Sequence, residues 1–177
     1  MGGRAQWREE LSWRPLSLLL ALTLLSSPLA AQQALQRDPD APIEIEADNL
    51  EVRRDQQIAI FTGNVDAVQG GMTLRTDELR VSYREGDSGG ADVGGAISKL
   101  EAVGSVVVLT SRERATGRRG VYDVDAGRIR LEGGVQLFRE DNVLTGQTLV
   151  MDLNTGVSTL DAERGGRVKG IFRPEGD

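Results

Sequence analysis

Polar and apolar residues alternate one by one through most of the chain from residue 43 onward. Clear examples are Ile-Glu-Ile-Glu at 43–46 and Leu-Arg-Val-Ser-Tyr at 79–83. Successive side chains of a β-strand point to opposite faces, so this period of two predicts strands with one apolar face. Asp, Asn, Gly and Gln separate the runs, as is typical of turns. No stretch beyond residue 31 repeats apolar residues at helical spacing, so the sequence predicts an all-β fold without a substantial helix.

A glycine-centred segment recurs along the chain. Phe-Thr-Gly-Asn-Val at 61–65 returns as Ala-Val-Gly-Ser-Val at 102–106 and Leu-Glu-Gly-Gly-Val at 131–135, with a weaker copy at 166–168. The first and third copies keep register at an offset of 70 residues, as Leu79 and Leu149 illustrate. The recurring glycines predict a bend or bulge between paired strands. A unit of about 29 residues cannot bury its apolar face alone, so successive units are expected to stack.

The first 31 residues have the composition of a secretory signal peptide. Three Arg precede the apolar run 16–25, Pro28 ends that run, and Ala30 and Ala31 offer small residues for cleavage. Ten apolar residues span about 15 Å as a helix, roughly half of the hydrocarbon core of a bilayer. We expect cleavage after Ala31, and an uncleaved membrane anchor is the alternative.

The remaining sequence predicts one domain with unstructured ends. Residues 32–42 are polar and predict a disordered lead-in, residues 43–172 predict the β-domain, and residues 173–177 predict a frayed tail. Between two strands, residues 84–96 contain five Gly in thirteen positions and predict a flexible loop.

Composition excludes several classes of function. The chain has no Cys and no His, which removes disulfides, thiol nucleophiles and Ser-His-Asp triads, so no catalytic residue, metal site or cofactor is predicted. Removal of the signal peptide changes the formal net charge from −6 to −7, which argues against nucleic-acid binding. Asp-Val-Asp-Ala-Gly at 123–127 lacks most ligands of a calcium loop, and we interpret it as a turn.

One basic cluster stands out in this acidic sequence. It consists of Arg112, Arg114, Arg118 and Arg119. Two interpretations are open: an exposed loop and strand, or a patch that steers phosphate groups.

Several segments resemble one known family. Ile-Glu-Ile-Glu-Ala-Asp-Asn-Leu at 43–50, Ala-Ile-Phe-Thr-Gly-Asn-Val at 59–65 and Gln-Gly-Gly-Met-Thr-Leu-Arg-Thr-Asp-Glu-Leu at 69–79 resemble the LptA/OstA-like family of lipopolysaccharide-transport proteins. The second half agrees at 120–123, 131–135 and 144–149, so the resemblance covers residues 43 to 171. The glycine-rich loop and the short tail depart from the family pattern.

The resemblance implies both a fold and a function. It implies an open, twisted, V-shaped β-jelly roll of about sixteen short antiparallel strands that holds the acyl chains of lipopolysaccharide inside. It implies a non-enzymatic protein of the Gram-negative periplasm, acting in outer-membrane biogenesis and carrying lipopolysaccharide from the inner to the outer membrane. The implied partners are lipopolysaccharide, the inner-membrane and outer-membrane components of the transport bridge, and further copies stacked edge to edge.

The apolar members of the alternating pattern are the candidate lipid-binding interior. Aliphatic side chains suit acyl chains because burial of each CH₂ contributes roughly 0.8 kcal/mol without directional partners. Besides Tyr83, the set comprises Ile43, Ile45, Leu50, Val52, Ala59, Phe61, Val65, Met72, Leu74, Leu79, Val81, Val106, Val108, Tyr122, Val124, Leu131, Val135, Leu137, Leu149 and Met151.

Other readings of the same residues stay open at this point. The chain could be the membrane-anchored partner of the same transport route, which would keep residues 1–31. It could also be a ligand-free structural β-repeat protein of the envelope, in which the apolar set forms only a core. A carboxylate enzyme on a jelly roll is the third alternative; Glu44 and Glu46 share one strand face, which predicts solvent exposure rather than acid–base chemistry.

Overall fold

The computed structural model describes residues 41–84 and 96–173. In these ranges the chain forms ten strands and, as its only helical element, a 3₁₀ turn at Arg54–Gln56, so the all-β prediction is confirmed. No helix there is long and apolar enough to cross a membrane. The strands are β1 Ile43–Glu46, β2 Asn49–Arg53, β3 Ile58–Gln69, β4 Met72–Tyr83, β5 Ile97–Leu109, β6 Arg114–Asp123, β7 Arg128–Arg139, β8 Asn142–Asp152, β9 Val157–Asp161 and β10 Lys169–Ile171.

All ten strands belong to one antiparallel sheet whose order follows the chain. The sheet runs β1-β3-β4-β5-β6-β7-β8-β10, while β2 pairs with the other half of β3 and β9 with the other half of β8. Most neighbours in the sheet are therefore consecutive in sequence. The ends of the glycine-rich segment are also joined, because the Arg84 amide donates to the Ala96 carbonyl at 3.0 Å.

The recurring glycines bend the long strands. Gly63-Asn64, Gly104-Ser105 and Gly133-Gly134 each place two consecutive residues at positive φ, and the pairing register shifts at each pair. Two consecutive left-handed residues turn a strand sharply, as β-bulges do. The bulge prediction is thus confirmed for three copies. The fourth copy is a turn rather than a bulge, because the Gly166 amide donates to the Glu163 carbonyl at 2.7 Å between β9 and β10.

These irregularities form a line across the sheet, here called the bulge line, which divides it into two layers. Layer A contains 49–53, 58–62, 78–83, 97–103, 119–123, 128–132, 148–152 and 157–161. Layer B contains 43–46, 65–69, 72–76, 106–109, 114–117, 135–139, 142–146 and 169–171. The predicted sixteen short strands are therefore ten strands with sixteen segments, because hydrogen bonding resumes beyond each bulge and keeps six strands continuous.

The two layers face each other across a shared core. The Tyr122 hydroxyl donates to Gln69 Oε1 at 2.7 Å, although β3 and β6 are three strands apart in the sheet. Strands in a flat sheet lie about 4.8 Å apart, so this contact requires the sheet to close on itself. One cluster of buried apolar residues contains members of both layers, among them Leu79, Leu131, Val108 and Val135, each at most 1% exposed.

The 70-residue offset predicted from sequence is present in the backbone. β3 and β7 begin at 58 and 128, and β4 and β8 begin at 72 and 142. Left-handed residues recur at the same offset, including Gln57 with Gly127 and Gly70 with Glu140. Equivalent turns and bulges therefore bend both halves of the domain in the same way.

Four further predictions lie outside the described residues. These are the signal peptide at 1–31, the lead-in as far as residue 40, the loop interior at 85–95 and the tail at 174–177.

Candidate functional site: an apolar interior between two layers

Register places the inward side chains in rows that cross the whole sheet. Each row takes one residue from each of eight strands, because directly paired residues point to the same face. In layer A the bulge-side row is Leu50, Phe61, Leu79, Ala102, Gly120, Leu131, Leu149 and Leu160, and the outer row is Val52, Ala59, Val81, Leu100, Tyr122, Ile129, Met151 and Ser158. In layer B a row runs Ile45, Ala67, Leu74, Val108, Ala115, Leu137, Leu144 and Gly170.

Most of the predicted interior residues lie inside. Fourteen of the twenty are buried: Ala59, Val65, Met72, Leu74, Leu79, Val81, Val106, Val108, Tyr122, Leu131, Val135, Leu137, Leu149 and Met151. Ile43, Ile45, Phe61 and Val124 are partly buried and pack against this core. Their positions show that the alternation was assigned to the correct face.

Leu50 and Val52 are less enclosed than predicted. Both lie on β2 opposite the inward residues Phe61 and Ala59, so they share the inner face. Leu50 is nevertheless 55% exposed, and Val52 is half-buried. Because β2 is an edge strand of layer A, no described strand covers its outer side. Leu50 therefore lies on the predicted inner face but is exposed at the edge of the sheet.

Sequence reasoning missed two kinds of interior residue. The first are small apolar residues, such as Ala102 and Ala115, both at most 2% exposed. The second are buried polar residues, Gln69, Thr76 and Glu113, at most 7% exposed, for which the alternation gives no signal.

Free space in the interior is uneven. A cavity of about 200 Å³ opens at the first edge of the sheet, between β1 and layer A, and is lined by Ile43, Ile45, Ala59, Phe61, Val81, Tyr83 and Ile97. In the centre, a gap of only about 10 Å³ remains among residues such as Leu74, Tyr122 and Leu131. A cavity of 150 Å³ can hold a benzene ring, so the first-edge cavity is large enough for roughly a few methylene groups.

The opening between the layers on the side away from the bulge line is here called the mouth. It is polar. At the mouth, Gln69 accepts from Tyr122 and donates through Nε2 to the Ala41 carbonyl at 3.1 Å. Glu113 accepts from Ser158 Oγ at 3.0 Å and forms an ion pair with Arg139.

A second cavity, of about 440 Å³, lies at the mouth beside Glu113. Its lining includes Arg112, Arg139, Glu140 and Asp152. The Thr155 amide and the Arg128 guanidinium, in that order of effect, lower the pKa of Asp152. This space therefore has a charged lining, in contrast to the apolar first-edge cavity.

Charged groups otherwise lie on the outer faces. Glu44 and Glu46 are exposed, as predicted for one face of an edge strand. The predicted basic cluster is also exposed, and the guanidinium of Arg114 lies 5.2 Å from the centre of the Phe138 ring. Asp123 accepts from the Ala126 amide at 2.9 Å, which supports its interpretation as a turn residue.

No described cluster of carboxylates is arranged to hold a metal ion. The outer side of each terminal strand is open within the described ranges, namely β1 and β2 at the first edge and β9 and β10 at the second. The second edge exposes Val157, Ile171 and Phe172 at 58%, 49% and 71%.

Comparison with known proteins agrees with this architecture. The family described as "LptA/(LptD N-terminal domain) LPS transport protein" matches residues 44–157. An uncharacterized protein of Rhizobium meliloti is 36% identical over 164 residues, covering 90% of this chain and 86% of that protein. The lipopolysaccharide export system protein LptA of Escherichia coli K12 is 35% identical over 74 residues, which is 42% of this chain and 40% of LptA.

A solved structure shows the same fold. The crystal structure of Pseudomonas aeruginosa LptH, described as a periplasmic component of the lipopolysaccharide transport device, superposes with a TM-score of 0.66 at 20% identity. The match covers 78% of this chain and 99% of that one. The resemblance stated from sequence is thus confirmed. Because the family match spans well over half of the chain, this protein belongs to the LptA/LptD N-terminal-domain family of lipopolysaccharide transport proteins, a family of carriers rather than enzymes.

Proposed function

We propose that the chain is a periplasmic bridge protein that holds the acyl chains of lipopolysaccharide between its two layers and passes them from the inner to the outer membrane. One observation carries the proposal: the inward rows run from one open edge to the other without a charged residue. A closed core would not need rows that end at exposed edges on both sides.

The chemistry of the rows suits reversible transport. They contribute aliphatic contacts whose free energy depends on contact length, at roughly 0.8 kcal/mol for each buried CH₂. No single strong polar bond holds the lipid, so transfer to a neighbouring protein need not overcome one large barrier. The acidic outer faces require that the anionic sugar–phosphate part of the lipid remains in solvent outside the mouth.

Stacking of the bridge follows from the same edges. β1 and β2 are proposed to meet an inner-membrane component, and β9 and β10 an outer-membrane component or the first edge of another copy. Unpaired backbone N–H and C=O groups of edge strands template the addition of further strands. Such a contact joins unlike surfaces, so it can continue into a filament rather than close as a dimer.

The test is retention of lipid by the purified mature chain. The protein is mixed with lipopolysaccharide and separated from free lipid by gel filtration. The mass of the protein fraction is then measured by native mass spectrometry. We expect bound lipopolysaccharide, and no binding of the deacylated sugar–phosphate portion, which serves as the matched control. Equal retention of both, or of neither, would contradict the proposal.

A structural role without a ligand is the second candidate, and the nearly filled centre of the interior favours it. In that case lipopolysaccharide is not retained at any concentration. N-terminal sequencing of the protein from cells distinguishes a cleaved carrier, which begins after Ala31, from the anchored partner of the same route, which keeps residues 1–31.

A further inference from the structure

Two polar contacts join the layers across the mouth of a largely apolar interior. Gln69, at the end of β3 in layer B, binds Tyr122 on β6 in layer A. Glu113, in the turn before β6, binds Ser158 on β9 and pairs with Arg139 at the end of β7. Gln69 and Glu113 are each 7% exposed, and their partners Tyr122 and Ser158 belong to the outer row of layer A.

A plain core gains nothing from polar residues at these positions. A buried amide or hydroxyl is tolerated when it is hydrogen-bonded, and an apolar residue of similar volume stabilises a fold at least as well. Gln69 and Tyr122, at 7% and 2% exposure, are too enclosed to exchange their bond readily for water while the layers are closed. Their bond therefore holds while the mouth is shut, and another polar group can take the place of either partner when it opens.

The Gln69–Tyr122 bond lies at a boundary between open and filled parts of the interior. In the layer B pairing, Gln69 is the partner of Ile43, which lines the first-edge cavity. Tyr122 borders the nearly filled centre, next to Leu74 and Leu131. The bond thus lies between the first-edge cavity and the closed part of the interior.

We propose that the Gln69–Tyr122 hydrogen bond is a clasp that keeps the mouth closed in the empty protein and opens for the passing lipid. This inference rests on the function proposed above and assigns positioning residues to it. Lipopolysaccharide joins its acyl chains to sugar through amide and ester groups, which offer both N–H donors and carbonyl acceptors. When acyl chains lie inside and sugars outside, these groups pass through the mouth and can replace each partner of the clasp. The Glu113–Ser158 contact is the corresponding clasp near the second edge.

The test measures the width of the mouth without and with lipid. The mature chain has no Cys, so Ser111→Cys and Ala126→Cys place two spin labels at exposed turns on opposite lips. Pulsed electron paramagnetic resonance spectroscopy then gives the distribution of distances between the two spin labels. The variant is Tyr122→Phe. Tyr83→Phe is the matched control for the lipid-free measurement alone, since Tyr83 lines the first-edge cavity and its hydroxyl makes no hydrogen bond among the residues that the structure describes.

Without lipid, we expect Tyr122→Phe to increase the open population roughly 2- to 12-fold, the range that one net hydrogen bond supports. Tyr83→Phe should match the parent, and Gln69→Leu, which also loses the bond to the Ala41 carbonyl, should shift the distribution at least as far. Added lipopolysaccharide should move the parent to the same longer distances. A folded Tyr122→Phe or Gln69→Leu protein with the parent's distribution overturns the clasp.

The two proposals fail in different ways. If the variants open without lipid but lipopolysaccharide leaves the parent's distances unchanged, the hydrogen bond does close the mouth, but the proposal that lipid passes through the mouth is refuted. If lipopolysaccharide is retained and widens the parent but the variants do not open, lipid carriage holds and the clasp is refuted.

Discussion

Replacing Gly104 by Ala should destabilise the domain by straining one of the bends on the bulge line. Gly104 has φ +82, and an added Cβ would lie 2.3 Å from Asp77 Oδ2 and 3.1 Å from Asp77 Cβ. Rotation of the Asp77 side chain relieves the first contact but not the second. The substitution therefore combines a left-handed backbone with a steric conflict on the neighbouring strand.

The magnitude can be estimated from these two effects. A left-handed conformation costs a residue with a Cβ about 1–2 kcal/mol, and forcing a side chain off its rotamer costs about 0.5–1.5 kcal/mol. Together they predict a loss of about 2.5 kcal/mol in the free energy of unfolding. For a domain of this size, that loss lowers Tm by roughly 5–10 °C.

Gly134 supplies the matched control. It has φ +67, but no atom lies within 4 Å of an added Cβ, so Gly134→Ala carries backbone strain alone. We expect a fall in Tm of about 3–6 °C, corresponding to about 1.5 kcal/mol. Thermal melts of both variants, and of Gly104→Ala combined with Asp77→Ala, measure the two effects separately. The double variant should recover part of the loss through the coupling expected of residues in contact.

Two results would refute this reasoning. If Gly104→Ala melts no lower than Gly134→Ala, the contact with Asp77 does not constrain the bulge. If both melt with the parent, the left-handed backbone at the bulge line is not needed for the fold.

Three further outcomes can be measured on the same protein. Ile45→Asp, at a half-buried position in the lining of the first-edge cavity, should melt near the parent temperature but lose lipopolysaccharide in a retention assay. Leu79→Asp replaces a side chain that is 0% exposed and should give little folded protein because it buries an unpaired charge. Normal retention by Ile45→Asp would contradict the proposed lipid site. Sedimentation should show a mass that rises with protein concentration, and a constant monomer argues against edge-to-edge stacking. The Thr155 amide and Arg128 lower the pKa of Asp152 in the folded state. The stabilisation from the Asp152 carboxylate is therefore present at neutral pH and lost as pH falls through that lowered pKa. The difference in unfolding free energy between the parent and Asp152→Asn should shrink in acid, and a difference that does not change with pH would contradict this role of Asp152.

The sequence pattern determined the faces of the strands better than their ends. Period-two alternation identified inward residues such as Leu79 and Leu149 because one buried face selects apolar side chains. It could not show that β3 to β8 continue through the bulges, since positive φ at Asn64 and Ser105 interrupts the pattern without ending the hydrogen bonding. The exposure of Leu50 follows from its place at a sheet edge, which alternation does not report.

The polar mouth could not be predicted for a different reason. Gln69 and Tyr122 are 53 residues apart in sequence, and Glu113 and Ser158 are 45 apart. The local sequence around each of these residues is typical of an ordinary turn or strand. Only the closure of the two layers brings the partners together. The same closure nearly fills the centre of the interior and leaves cavities at the first edge and at the mouth beside Glu113.

The central claim is that acyl chains lie against the inner face of this sheet, and site-specific photocrosslinking in cells tests it most directly. A photoreactive residue is placed in turn at Glu44, Ile45 and Glu46, which alternate outward, inward and outward on β1. The account predicts capture of lipopolysaccharide from position 45 and little or none from positions 44 and 46. Equal capture at all three positions, or capture only from 44 and 46, would contradict it.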